Sequence, residues 1–128
     1  MKNSVISKFD KTFFGCEDGD YTFNGVEVTE GNMTWAEGTR PFPVNSIVFN
    51  VNGANLTLVN SSVNGISTFY SSPVVYIENS ASSSSSINLT LINSTFNNNH
   101  ATDSAGVAYA KNTNVNVTNC TFINNTAI

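Results

Sequence analysis

The sequence predicts an all-β protein in which short strands stack in parallel, coil upon coil. Apolar residues recur at every second position, the period of a strand, and no segment has the spacing of an amphipathic helix. One strand motif occurs three times, beginning at Asn55, Asn88 and Asn114. A repeat of roughly this spacing with two or three strands per unit favours a parallel β-helix of about four coils. We expect it to be right-handed, because parallel crossovers have that bias.

The repeated motif reads apolar, polar, apolar, any residue, Asn, two small residues and a large apolar residue. Stacking the copies predicts two aliphatic columns, a ladder of Asn residues and a corner stack, which are Leu56/Leu89/Val115, Leu58/Leu91/Val117, Asn60/Asn93/Asn119 and Val63/Phe96/Phe122. We expect the ladder amides to face inward and to bond from coil to coil.

A second strand pattern precedes each copy of the motif. We call the spacing from Asn55 to Asn88 the long offset. Shifting the sequence by the long offset aligns the last two occurrences of this pattern with each other. Slightly shorter shifts align the earlier occurrences. The two columns predicted in this way are Tyr21/Ile47/Val74/Val107 and Phe23/Phe49/Tyr76/Tyr109.

The length of 128 residues fits one domain, and we expect residues 1–128 to be a single β-helix domain taken from a longer repeat array. Residues 1–14 are weakly patterned and are expected to cap the first coil. Residues 29–45 and the Ser-rich residues 80–87 break the alternation, so we expect both to be protruding loops. The last coil is expected to meet further repeats or an end-to-end partner, because an uncovered coil exposes sheet edges.

The composition excludes several classes of partner. Only 11% of the residues are charged and the net charge is −4, whereas nucleic-acid binding needs clustered Lys and Arg. No long, unbroken apolar run is present, so we expect no membrane-spanning helix. Residues 1–10 lack the apolar stretch of a signal peptide, and any export signal is expected to be absent from this sequence.

The last third of the chain resembles the repeats of chlamydial polymorphic membrane proteins and of adhesin-like surface proteins of methanogenic archaea. Phe96/Asn99 and Phe122/Asn125 match the Phe-x-x-Asn element of that family, and residues 105–107 match its glycine element with the first Gly replaced. The match covers residues 88–128. The resemblance implies an exported, surface-exposed, adhesive protein with a pectin lyase-like β-helix, which is outer membrane-associated or extracellular.

An enzyme is the alternative, because β-helices also cleave polysaccharides. Pectin hydrolysis needs two or three converging carboxylates, and lyase chemistry needs calcium-bound Asp with a basic residue. After residue 55 the acidic residues are Glu78 and Asp103, and the long offset aligns Glu78 with Lys111 rather than with another acid. We therefore predict a non-enzymatic, cell-surface or secreted, structural or adhesive stalk without a cofactor. The alternative is a carbohydrate-binding or polysaccharide-cleaving β-helix.

Two groups of residues are candidates for binding sites. In the first, Glu17, Asp18 and Asp20 could hold calcium, although a solvated acidic turn is the simpler interpretation. His100 has no second His or Cys near it in the sequence, which argues against a metal site there.

The second candidate group lies in the first predicted loop. Trp35, Arg40 and Phe42 could stack on a sugar ring, although the simpler interpretation is that the aromatic residues fold back over the first coil. The expected partners are a surface glycan or a protein of a host or neighbouring cell.

Overall fold

The computed structural model describes residues 4–7, 14–17, 19–29, 32–33, 48–68, 72–79, 86–102 and 105–128. Within these ranges the protein is all-β and contains no helix, and hence no apolar helix that could cross a membrane. The strands are β1 (Val5–Ser7), β2 (Phe14–Glu17), β3 (Asp20–Asn24), β4 (Glu27–Thr29), β5 (Asn32–Met33), β6 (Phe49–Asn52), β7 (Asn55–Val59), β8 (Ser62–Asn64), β9 (Ser67–Thr68), β10 (Val75–Glu78), β11 (Asn88–Ile92), β12 (Thr95–Asn97), β13 (His100–Ala101), β14 (Ala108–Lys111), β15 (Asn114–Thr118), β16 (Thr121–Ile123) and β17 (Thr126–Ala127).

The described strands form four sheets, and every pairing between them is parallel. From β2 onward the chain visits the four sheets in a fixed order, so each strand from β6 onward pairs with the strand four places earlier. We call β2–β5, β6–β9, β10–β13 and β14–β17 strand sets 1 to 4. The additional strand β1 pairs with β4.

Side chains alternate between the core and the surface along the strands. In β7 and β11 the second and fourth residues are buried, and Leu56, Leu58, Leu89 and Leu91 are at most 2% exposed. The parallel register places Leu56 beside Leu89 and Leu89 beside Val115, and the next inward column runs from Leu58 through Leu91 to Val117. Apolar burial of this kind is the main stabilising contribution.

The predicted columns of the second strand pattern are wrong before residue 60, by one residue at Phe49 and by a whole sheet at Tyr21 and Phe23. Phe49 pairs with Val75 and not with Tyr76, and it lies in the core at 1% exposure. Tyr21 and Phe23 belong to a different sheet, where they pair with Leu56 and Leu58. A slip of one residue exchanges the buried and solvent faces of a strand, and the structure keeps Phe49 inside. The remaining member, Ile47, lies outside the described residues.

The corner column contains Val63, Phe96 and Phe122. Phe96 pairs with Val63 on one side and with Phe122 on the other. The two phenyl rings stack with centroids 5.2 Å apart and planes 14° from parallel. This column extends the inward packing from strand set 2 to strand set 4.

Asn60, Asn93 and Asn119 are exposed, so the prediction that they face inward is wrong. All three have positive φ, between 49° and 52°, and Gly25 occupies the same turn position with φ of 69°. Asn and Gly tolerate the left-handed region better than other residues do. Among the described residues, no hydrogen bond joins these three side chains to one another. The recurrence of Asn at this position is therefore explained by the left-handed backbone of the turn.

The inward-facing Asn is the last residue of the Phe-x-x-Asn element. Asn99 is completely buried, and its Oδ1 accepts a hydrogen bond from the Ile66 amide at 3.1 Å. Its Nδ2 donates to the Val63 carbonyl at 3.0 Å and to Asn125 Oδ1 at 2.9 Å. Asn125 repeats the pattern, since its Oδ1 accepts from the Asn99 amide and its Nδ2 donates to the Phe96 carbonyl. Each of these amides thus binds the backbone of the preceding strand set.

Gly106, from the glycine element, lies directly against this second Asn. A Cβ atom added to Gly106 would be 3.1 Å from the backbone carbon of Asn125 and the backbone nitrogen of Thr126. The two elements of the family resemblance are therefore in contact, and the close approach favours glycine at this position.

A second polar column runs through Ser61, Ser94 and Cys120. Ser61 Oγ accepts from the Val26 amide, and Ser94 Oγ accepts from the Ser61 amide, both at 3.2 Å. Each hydroxyl also donates to the carbonyl two residues earlier, and the Cys120 thiol makes the same contact with Thr118 at 3.4 Å. Cys120 is a free thiol. The column therefore satisfies backbone amides between strand sets.

Strand set 4 is open on its outer side. Val115, Val117, Phe122 and Ile123 are between 46% and 49% exposed, whereas Leu89, Leu91 and Phe96 in the preceding set are at most 2% exposed. At the other end of the sheets, Phe23, Val26 and Val28 are at most 4% exposed. The two ends of the protein are therefore unlike.

Most residues of the predicted cap and loops lie outside the described ranges. Of the predicted cap 1–14, the structure describes residues 4–7 and 14, and β1 from this segment forms the edge of the sheet beside β4. Of the predicted loops, it describes residues 29, 32–33 and 86–87.

Replacing Asn93 with Leu is expected to destabilise the protein by about 1–2 kcal/mol, because Leu is strained in the left-handed region. Asn93→Gly is the matched control and is expected to stay within about 1 kcal/mol of the wild type. Urea unfolding followed by circular dichroism measures both differences. A Leu variant as stable as the wild type would contradict the assignment of this column to backbone conformation.

Asn99→Leu leaves the buried Ile66 amide without its partner and removes one side-chain donor from the Val63 carbonyl. An unpaired buried group costs about 1–3 kcal/mol and a lost hydrogen bond about 1 kcal/mol, so we expect a loss of about 2–4 kcal/mol in the free energy of unfolding. Asn125→Leu is expected to cost less, because strand set 4 is open to water. Equal losses in the two variants, measured by urea unfolding, would argue against burial as the reason.

Candidate functional site

The outward face of β6, β10 and β14 combines aromatic, acidic, basic and amide side chains. The register places Tyr76 between Asn50 and Tyr109, and it places Glu78 between Asn52 and Lys111. The two columns are two residues apart on each strand, so they project from the same side of the sheet. We call these six residues, Asn50, Asn52, Tyr76, Glu78, Tyr109 and Lys111, the tyrosine face.

The tyrosine rings stack on one another across the sheet. Their centroids are 5.1 Å apart and their planes differ by 1°. Both side chains are partly exposed, and Tyr76 donates a hydrogen bond from its hydroxyl to Glu78 Oε2 at 2.8 Å. The stacked pair is therefore held in place from the side by a carboxylate.

Glu78 also contacts the one basic residue of the tyrosine face. Lys111 Nζ lies 3.5 Å from Glu78 Oε1, and the lysine side chain is 55% exposed. An exposed pair of this kind contributes about 0–1 kcal/mol to stability. Its larger effect is to fix Glu78 between a phenol and an ammonium group, with one carboxylate oxygen for each.

The environment of Tyr76 opposes its ionisation. Burial raises the pKa of Tyr76 to about 12, and the hydrogen bond to Glu78, the charge of Glu78 and the neighbouring Tyr109 act in the same direction. The phenol therefore remains a neutral hydrogen-bond donor at physiological pH. It is unsuited to act as a general base there.

The tyrosine face has the chemistry of a binding surface. Aromatic rings offer apolar contact at low entropic cost, and the hydroxyl, carboxylate, ammonium and amide groups offer directional hydrogen bonds. This combination suits a polar ligand with apolar patches, such as a sugar or an exposed peptide segment.

The predicted acidic cluster is only partly described. Asp18 lies outside the described residues, and Glu17 is placed in β2 without a described side chain. Asp20 begins β3, is exposed and accepts a hydrogen bond from Asn55 Nδ2. Asn55 Oδ1 in turn accepts from the Asn88 backbone amide at 2.7 Å, so Asp20 is part of a polar column that joins three strand sets.

The other predicted site residues give no additional cluster. Trp35, Arg40 and Phe42 lie outside the described residues. His100 begins β13, and its Nδ1 lies 2.7 Å from Thr126 Oγ1 in the next strand set. Across the described part of the chain, no three His, Cys, Asp or Glu side chains are grouped to hold a metal ion.

The sequence pattern identified the columns of the tyrosine face but not the face itself. The long offset correctly aligns Tyr76 with Tyr109 and Glu78 with Lys111. The signal available in the sequence was a Tyr-x-Glu element followed one repeat later by Tyr-x-Lys, which places both pairs on one side of a parallel sheet.

Comparison of the chain with protein-family models, with curated proteins and with solved structures gave no match.

Below pH 10.0, the ordinary pKa of tyrosine, Tyr76 is neutral in both the folded and the unfolded chain. Because its folded pKa is about 12, the protein should lose stability as the pH rises through the interval between these two values. Urea midpoints at about pH 9 and about pH 11.5 measure the loss, which should be smaller in Tyr76→Phe.

Glu78→Gln should lower the pKa of Tyr76 in a spectrophotometric phenol titration. An unchanged titration would exclude Glu78 as a cause.

Proposed function

We propose that this chain is a segment of a right-handed parallel β-helix that serves as a non-enzymatic structural and adhesive stalk at the cell surface or outside the cell. The observation that carries the proposal is the fixed order in which the strand sets add to the same four parallel sheets. In a β-helix each set is one coil, and each coil lengthens the body by about 4.8 Å.

The contacts between sets support a mechanical role. Every set contributes backbone hydrogen bonds to its neighbour, and the Asn99 and Asn125 amides add links between sets. These links are perpendicular to the strands, in the direction in which a stalk would be pulled. Their side chains are neutral, so stacking them brings no like charges together.

The surface supports an extracellular setting. Exposed turn positions carry Asn60, Asn93 and Asn119, and the chain depends on amides and hydroxyls rather than on charges for its polarity. The Phe-x-x-Asn and glycine elements resemble those of polymorphic membrane proteins, and this resemblance favours an adhesin-like protein of the cell surface over a cytosolic one.

Adhesion is assigned to the tyrosine face. Tyr76 and Tyr109 supply the apolar contact, and Glu78 and Lys111 supply opposite charges beside it. The same face favours carbohydrate binding as the second candidate function, because sugars combine apolar ring faces with hydroxyl groups.

A glycan array probed with the labelled 128-residue chain tests adhesion to sugars. We expect retention on a subset of glycans, with a reduction of about tenfold or more in Tyr76→Ala/Tyr109→Ala. Thr90→Ala, on a neighbouring sheet, is the control and should bind like the wild type. Retention that is equal in the double variant would overturn the assignment to the tyrosine face.

A reducing-end assay on polygalacturonate tests the non-enzymatic part of the proposal. We expect no release of reducing ends above the buffer level, with or without added calcium. Release that disappears in Asp18→Asn or Asp20→Asn would show catalysis by the acidic segment and would replace the stalk with a polysaccharide-cleaving enzyme.

A further inference from the structure

Two Asn-x-Thr motifs lie within one short segment of the chain. They are Asn88-Leu-Thr90 and Asn93-Ser-Thr95, and neither has Pro in the middle. This is the motif to which exported proteins have oligosaccharides attached at the Asn amide. A glycan is bulky, so a folded chain can carry one only where the Asn side chain reaches the solvent. The structure therefore separates two motifs that are equivalent in the sequence.

The side chain of Asn88 is partly buried and hydrogen-bonded. Its Nδ2 lies 3.4 Å from Asn55 Oδ1, which also accepts from the Asn88 backbone amide at 2.7 Å. Asn55 in turn donates from its own Nδ2 to Asp20. A glycan on the Asn88 amide would disrupt this polar column, which joins three strand sets.

Asn93 lies in the turn between β11 and β12, and its side chain is exposed. Its backbone is left-handed, with φ of 49°, and its backbone amide donates to the Thr118 carbonyl at 2.9 Å. Within the described ranges its side-chain amide makes no hydrogen bond. Strand sets 2 and 4 pair with set 3 on both sides of this turn, so the exposure does not depend on where the chain ends. Asn93 Nδ2 can therefore be substituted without loss of a contact.

The turn Asn and the hydroxyl residue two places later stay in register through strand sets 2, 3 and 4, as the pairs Asn60/Ser62, Asn93/Thr95 and Asn119/Thr121. In strand set 1 the turn residue is Gly25, and Glu27 occupies the position of the hydroxyl residue. The left-handed turn accepts Asn or Gly and requires no hydroxyl two residues later. The hydroxyl thus accompanies Asn and is missing where the turn holds Gly, which favours recognition of the whole motif.

We propose that Asn93 carries an N-linked glycan, attached during export of the chain. This inference rests on the proposed function, which places the protein at the cell surface or outside the cell. The donor is an oligosaccharide joined through phosphate to a polyprenyl carrier. Asn93 Nδ2 attacks the anomeric carbon of the donor, and the N–C bond forms as the C–O bond to phosphate breaks. The phosphate leaves with the bonding electron pair, and Nδ2 loses one proton to a base of the transferase.

Asn93 is favoured over its neighbours in the turn column. Asn60 Nδ2 lies 3.5 Å from Asn24 Oδ1, a contact that Asn93 lacks. Adjacent strand sets are about 4.8 Å apart, which leaves too little room for glycans of several sugars on neighbouring turns. A glycan on Asn93 therefore leaves Asn60 and Asn119 unmodified in the same molecule. The tyrosine face lies on β6, β10 and β14, so the glycan is attached to neither the sheet nor the strands of that face.

Glycopeptide mass spectrometry of the protein purified from its own cells tests the proposal, with electron-transfer fragmentation to assign each glycan to one Asn. We expect a glycan on Asn93 and none on Asn88. Thr95→Val removes the hydroxyl of the motif, keeps a residue that suits a strand, and should abolish the glycan on Asn93. Thr90→Val is the matched control in the motif of Asn88 and should leave the glycan unchanged. Both variants should retain the circular dichroism spectrum of the wild type.

Proteolysis of intact cells and analysis of the medium report separately whether the protein is exported. An exported protein with an unmodified Asn93, or with equal glycan occupancy at Asn88, would overturn this inference and leave the stalk proposal standing. A glycan that persists on Asn93 in Thr95→Val would overturn it as well. A protein that is neither exported nor modified would overturn both proposals.

Discussion

The side-chain amide of Asn99 joins three strand sets, and the alignment of the sheets depends on contacts of this kind. It accepts from the Ile66 amide and donates to the Val63 carbonyl in set 2, and it donates to Asn125 in set 4. A shift of one residue between sets would break all three bonds of the fully buried Asn99 side chain. A buried polar group without partners is costly, so the amide fixes the register of the surrounding sheets.

Asn has two distinct roles in this chain, and they differ in what they require of the residue. At Asn60, Asn93 and Asn119 the backbone is left-handed and the side chain is exposed, so Gly can take the same place, as Gly25 does. At Asn99 the amide itself is required, because its donor and acceptor atoms both have backbone partners. Composition alone cannot separate these roles.

The polar surface and the apolar interior come from the same alternation of side chains. Inward positions hold Leu56, Leu89 and Phe96, while outward positions of β10 and β14 hold Tyr76 and Tyr109 with a charged residue two places later. Function of the kind proposed here needs no cleft, since a regular sheet presents its outward columns as a flat, ordered face.

The sequence by itself determined the all-β class, the parallel columns after residue 55 and the alignment of Tyr76 with Tyr109, because strand period and repeat offset are local patterns. Only the tertiary structure decided which Asn is buried, where Phe49 belongs and that Glu78 bridges Tyr76 and Lys111. A period of two defines two faces without saying which is inside, and an Asn near a turn can serve either the backbone conformation or the core. That choice is made by the neighbouring strand set, which supplies the hydrogen-bond partners and excludes the water.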